Sequence, residues 1–167
     1  MSIIREIQSS RVLILGCGNK LLGDDGFGPA VIEELQNNYR LPADVQAEDV
    51  GTSIREVLFD IALSEKRPDH LILVDTIHKE GKRHGDVFEL NINDLTEKKV
   101  ADYSMHQFPT SNMLREIAEL CGVRVTILAA QQDRPTEAPT MELSETMKQA
   151  VHLAARKAYE LSATQAA

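Results

Sequence analysis

Residues 11–28 read RVLILGCGNKLLGDDGFG. Arg11–Gly16 is a compact run of β-branched and other aliphatic residues, Val12 to Leu15, stopped by a glycine, which predicts a buried strand. A glycine-rich loop follows. Pro29 then stands where a helix would open, and Ala30, Val31, Leu35 and Tyr39 continue at roughly helical spacing. Strand, loop and helix in that order are the first half of a βαβ unit, and the rest of the chain repeats the alternation.

Leu41–Pro42 ends the first helix, and Val45–Val50 alternates as a second strand. Ser53 and Glu56 form an S-x-x-E capping box for a helix reaching about Ser64. His70–Asp75 (HLILVD) is the clearest buried strand, with Asp75 at its end. After the turn Gly81–Gly85, Asp86–Leu90 alternates like a strand with one wet face, and 91–107 is polar with no assigned element. Thr110 or Ser111 caps a helix carrying Met113, Leu114, Ile117 and Leu120 on one side and ending at Gly122. Val123–Ala129 is the next strand, Gln131–Thr140 a polar loop, and Ser144 to about Ser162 a closing helix. The expected architecture is α/β: a three-layer sandwich with a mainly parallel twisted sheet of about five strands and helices on both faces. Residues 1–10 read as a lead-in, 11–162 as a single domain and 163–167 as a tail.

Composition agrees with a globular chain. Of 167 residues, 43% are hydrophobic, and 18 Lys and Arg against 26 Asp and Glu give a net charge of −8. That balance argues against nucleic acid or an anionic membrane as partner. The apolar run Val12–Leu15 is far shorter than a signal peptide core or a membrane span requires, so the expectation is a cytoplasmic protein without membrane insertion. Cys17 and Cys121 form no CxxC pair, which suits a reducing compartment.

In an open α/β sheet, ligands gather at the carboxyl ends of the strands, so the loops there carry the search for chemistry. The G-x-G-x-x-G fingerprint needs a glycine where Leu21 stands, and no Gly-Lys-Ser/Thr follows to make a phosphate loop. Asp24 and Asp25 would repel a phosphate. What the loop presents is acid: Asp25 lies near a helix start whose dipole favours a carboxylate, although either aspartate could simply cap that helix. Asp75 brings a second carboxylate to the mouth of the sheet, with a turn or cap as its plain alternative. Among five histidines, His70 and His152 read as packing or surface residues, and His78 and His84 as parts of a solvated turn, HKEGKRH. His106, in SMHQFP ahead of a helix, stands on the correct edge. Asp25, Asp75 and His106 make a mixed oxygen and nitrogen set of borderline hardness that leaves positions open on a bound cation. Cys17 has no evident histidine partner and reads as a small buried hydrophobe. The residues alone leave two further readings standing: a binding module holding a nucleotide or partner protein at this edge, and a cysteine hydrolase built on Cys17.

The sequence GNKLLGDDGFG (Gly18–Gly28) resembles the GN-x-L-x-x-D-[DE]-x-x-G opening of the hydrogenase maturation endopeptidases. LILVDTIHK (71–79) is similar to their second acidic motif, and SMHQFP to their histidine–glutamine motif. Gly51–Thr52 resembles a family loop near the site. The likeness runs from about Arg11 to Ser162. It implies an endopeptidase that trims the C-terminal tail of a nickel–iron hydrogenase large-subunit precursor, and the branch acting on deazaflavin-reducing hydrogenases is the suspected one. By the same likeness Asp25, Asp75 and His106 are the metal-binding and catalytic residues, with Gly18, Asn19 and Gly23 shaping the loop. The likeness also implies that the metal is nickel carried by the substrate, with cadmium able to occupy the same site, and that cleavage follows a basic residue or histidine near the substrate C-terminus.

Overall fold

A computed structural model describes residues 9–94, 108–133, 136 and 138–164. Among these residues five strands form one sheet in the order β2-β1-β3-β5-β4. They are β1 (Val12–Cys17), β2 (Val45–Gly51), β3 (His70–Ile77), β4 (Val87–Asn91) and β5 (Arg124–Gln131). All neighbours pair in parallel except β4, which runs antiparallel at one edge beside β5. Among the described residues, four helices cover the sheet: α1 (Phe27–Asn38), α2 (Ile54–Leu63), α3 (Phe108–Cys121) and α4 (Glu145–Ala163). The expected three-layer sandwich with a mainly parallel sheet is the fold of this chain.

The pleat sorts the core into two halves. Leu13, Leu15, Cys17, Leu71 and Leu73 face α2 and α3, where Leu58, Ile61, Leu114 and Ile117 meet them. Val12, Ile14, Ile72 and Val74 face α1 and α4. On that side α4 contributes mainly alanines, Ala150, Ala154, Ala155 and Ala158, so it packs closely against the Phe27, Val31 and Leu35 stripe of α1.

Several local expectations need correction. Asp75 does not end β3: the strand continues to Ile77 because β5 is long enough to pair it, Asp75 lying opposite Ala129. Ser53 is the N-cap of α2, but its backbone (φ −94°, ψ 19°) is outside the extended region and its side chain accepts no cap bond. Its N–H already donates to the Val50 carbonyl at 2.9 Å, so Glu56 has no free cap N–H to reach and the capping box is not made. Helix α3 begins at Phe108, which puts Thr110 and Ser111 inside its first turn rather than before it. Leu120 is 81% exposed, off the stripe of Leu114 and Ile117 that meets the core. Nor does either aspartate cap α1, whose N-cap is Gly26 with no side-chain bond. Among the described residues, no helix is long and apolar enough to cross a membrane.

Candidate active site

The chain leaves β1 for β2 on one side and later returns to β3 on the other, so the crevice between β1 and β3 is the switch point where α/β sheets hold ligands. The acid loop fills it. Gly18 (φ +135°) turns the chain away from β1, and a Cβ there would collide with the Asp25 carbonyl, so only glycine lets the loop fold back on itself. The loop then makes a 3-10 turn, Gly23–Gly26, that carries both aspartates. Gly28 allows the first turn of α1 to settle against Cys17 and Val74, where any side chain would strike backbone.

Asp25 is half-buried and faces back across its own loop. Its Oδ2 accepts the Asn19 N–H at 2.8 Å, and its Oδ1 lies 3.4 Å from the Thr76 hydroxyl, which donates to it. Thr76 also donates its backbone N–H to Asp75 Oδ1 at 2.8 Å. One residue therefore touches both carboxylates and ties the β1 loop to β3. Asp75 is 9% exposed and follows Leu71 and Leu73 on the pleat face that looks toward α2 and α3.

Cys17 lies in the same crevice. Burial pushes its thiol well above the ordinary range, and the carboxylates of Asp75, Asp49 and Asp25 push it further. A thiol held protonated by burial and three acids is a poor nucleophile, so the structure speaks against Cys17 as an attacking group. Asp49 is a flanking acid that sequence reading did not single out. It accepts the Gly51 N–H at 2.9 Å and pairs with Lys20 Nζ at 2.7 Å, and it holds that ammonium above its ordinary pKa. Gly51 in turn accepts the Gly18 N–H at 2.9 Å, so the loop after β2 does lie against the acid loop.

Two more residues meet here without local forewarning. His84 Nε2 is 3.0 Å from Asp24 Oδ2, and Ser144 binds the same carboxylate through its N–H at 2.7 Å and its hydroxyl at 2.9 Å. His84 is thus no freely solvated turn residue. The contact joins positions 60 residues apart, and nothing in HKEGKRH foretells it. His106 lies outside the described residues. Among the described residues, no group of three or more His, Cys, Asp or Glu is arranged to hold a metal ion; two acids of the expected set are brought together, and the third member is not among them.

Comparison with known proteins completes the description. Residues 29–161 match the family model described as hydrogenase maturation protease. The subunit delta of coenzyme F420 hydrogenase from Methanothermobacter thermautotrophicus is 30% identical over 141 residues, which cover 82% of this chain and 84% of that protein. The hydrogenase 2 maturation protease of Escherichia coli is 34% identical over 104 residues, 62% of this chain and 61% of that one. In three dimensions, the hydrogenase maturating endopeptidase HybD from E. coli superposes with a TM-score of 0.71 at 27% identity, covering 90% of this chain and 91% of that chain.

Proposed function

The chain belongs to the hydrogenase maturation protease family, and from that premise we propose that it removes the C-terminal extension of a nickel-loaded hydrogenase large-subunit precursor. In this reading Asp25, Asp75 and His106 engage the nickel that the substrate carries. The observation that supports it most directly is the Thr76 bridge, which joins Asp25 and Asp75 across the switch crevice of the sheet. Helix α3 lends further support. It runs down to the short turn that opens β5, so its first turn, which His106 precedes by two residues, stands at the strand-end rim where the acids lie.

Two carboxylates and one imidazole are modest ligands for a borderline cation, and a substrate centre that supplies its own donors would complete the set. Recognition then depends on nickel being in place, which makes tail removal a check on loading. The reaction is peptide hydrolysis: water adds to the scissile carbonyl, the C–N bond breaks, and the released tail takes a proton on its new amino group. A carboxylate at the rim is the natural acceptor of the water proton. The F420-hydrogenase likeness fits a deazaflavin-reducing hydrogenase as the substrate enzyme.

The test is tail removal by Asp25→Ala, Asp75→Asn and His106→Ala, each assayed on nickel-loaded and nickel-free precursor. Wild-type protein should process only the loaded form, and each variant should lose at least about tenfold in rate. Full activity in the Asp25 and His106 variants, or equal cleavage of both precursors by the wild type, would overturn the reading.

A further inference from the structure

Two aspartates stand side by side in the acid loop, and the structure gives them different work. In a 3-10 turn successive side chains diverge by about 120°, so neighbours cannot face the same way. Asp25 looks across its loop to Asn19 and Thr76. Asp24 looks out of the crevice toward α4. Its Oδ1 accepts the Ser144 N–H at 2.7 Å, and its Oδ2 accepts the Ser144 hydroxyl at 2.9 Å and lies 3.0 Å from His84 Nε2. The Asp133 N–H points to His84 Nδ1 at 3.4 Å, which assigns the proton of the neutral ring to Nε2, the nitrogen facing Asp24. Ser144 is also the N-cap of α4, its hydroxyl accepting the Met147 N–H at 3.3 Å. The Asp24 carboxylate therefore sits at the positive end of a 19-residue helix. Backbone bonds repeat the attachment: Gly23 N–H to Thr140 carbonyl and Thr140 N–H to Leu21 carbonyl, both 2.8 Å.

We propose that Asp24, His84 and Ser144 form a clasp that fixes the 3-10 turn to α4 and to the loop between β3 and β4, and so aims Asp25 into the crevice. Asp24 is then a positioning residue rather than a ligand, and Asp25 alone of the pair meets the substrate. This inference rests on the reading of Asp25 given above. A charge-assisted carboxylate with three donors is a stiff anchor, and it lies one residue from the group it orients. Residues that orient a metal-engaging side chain typically alter affinity or activity by about 10–100-fold when removed.

The Asn19 amide reports on Asp25 directly, because its hydrogen is held by Asp25 Oδ2 at 2.8 Å. Its exchange with solvent is to be measured by NMR in the full chain, alongside precursor processing and thermal unfolding, for the wild type, Asp24→Ala, Asp24→Asn, Ser144→Ala and Asp25→Ala. The expected result is that Asp24→Ala speeds Asn19 exchange by about tenfold or more and slows processing by about 10–100-fold, while the unfolding midpoint moves by only a few degrees. Asp24→Asn, which keeps an acceptor for the Ser144 N–H, should recover most of the protection, and Ser144→Ala should lie between. A purely structural role for Asp24 would lower the unfolding midpoint and leave Asn19 exchange and processing as in the wild type; that outcome overturns the clasp. Should Asp24→Ala fail to fold, Ser144→Ala and His84→Gln decide the matter by the same two readouts. Wild-type processing by Asp25→Ala would sink the site reading instead, and Asn19 exchange in the Asp24 variants would still judge the clasp on its own.

Discussion

At the scale of single residues, three carboxylates bear on one buried thiol in the crevice. Asp25, Asp49 and Asp75 surround Cys17, and burial with those three acids keeps its thiol protonated far above neutral pH. A thiolate nucleophile at this position is disfavoured on both counts. Cys17→Ala should accordingly process precursor at the wild-type rate and lower stability by about 1 kcal/mol, as the loss of one small buried side chain ordinarily does; denaturant unfolding and a processing assay check the pair. A large loss of activity with the fold intact would restore the cysteine reading. That Asp25 and Asp75 both stand near the carboxyl ends of parallel strands was legible in the sequence, and the structure brings both into contact with Thr76. The difference between Asp24 and Asp25 was not legible, since it depends on which neighbour each side chain meets in space.

At the scale of elements, helix boundaries followed the sequence closely while their chemistry did not. Ser53 and Ser144 occupy the same N-cap position of their helices, yet only Ser144 makes the side-chain bond. Ser53→Ala should change stability by less than about 0.5 kcal/mol, whereas Ser144→Ala should cost about 1 kcal/mol from the cap, both read by denaturant unfolding. Equal costs would contradict the cap geometry described here. Strand β3 shows the limit of a local reading in another way. HLILVD ends where hydrophobicity ends, but Thr76 and Ile77 stay in the strand because Ala130 and Gln131 of β5 are there to pair with them. Two extra residues place Thr76 between the acids, and with it the bond that links them.

At the scale of the whole molecule, the two ends of the sheet are built for different ends. The carboxyl ends of the strands gather acids; the opposite end buries His70, which is 4% exposed and bonded through Nε2 to the Thr126 hydroxyl at 2.9 Å. Its Nδ1 is buried with no hydrogen-bond partner among the described residues. Burial, with the cations Arg124 and Arg11 nearby, lowers its pKa from 6.5 to about 4. The neutral ring is thus the folded form, and the unfolded chain binds the extra proton between those values. Above pH 6.5 the ring is neutral in both states and carries no penalty; as pH falls toward about 4 stability is lost, by at most about 3.5 kcal/mol when each pH unit of displacement counts about 1.4 kcal/mol. Unfolding free energies measured from pH 7 to pH 4 should show that slope, and His70→Gln should flatten it. An unchanged slope in that variant would assign the effect to other groups. The sequence by itself determined the α/β alternation, the parallel core strands and the acids of the first loop and third strand, because those follow from hydrophobic period, glycine placement and the isolation of a charge beside apolar residues. Only the tertiary structure decided that Asp24 turns to Ser144 and His84, that Thr76 joins Asp25 to Asp75, and that Asp49 belongs with them, because contacts between residues far apart along the chain depend on how strands register and helices pack, which no local pattern records.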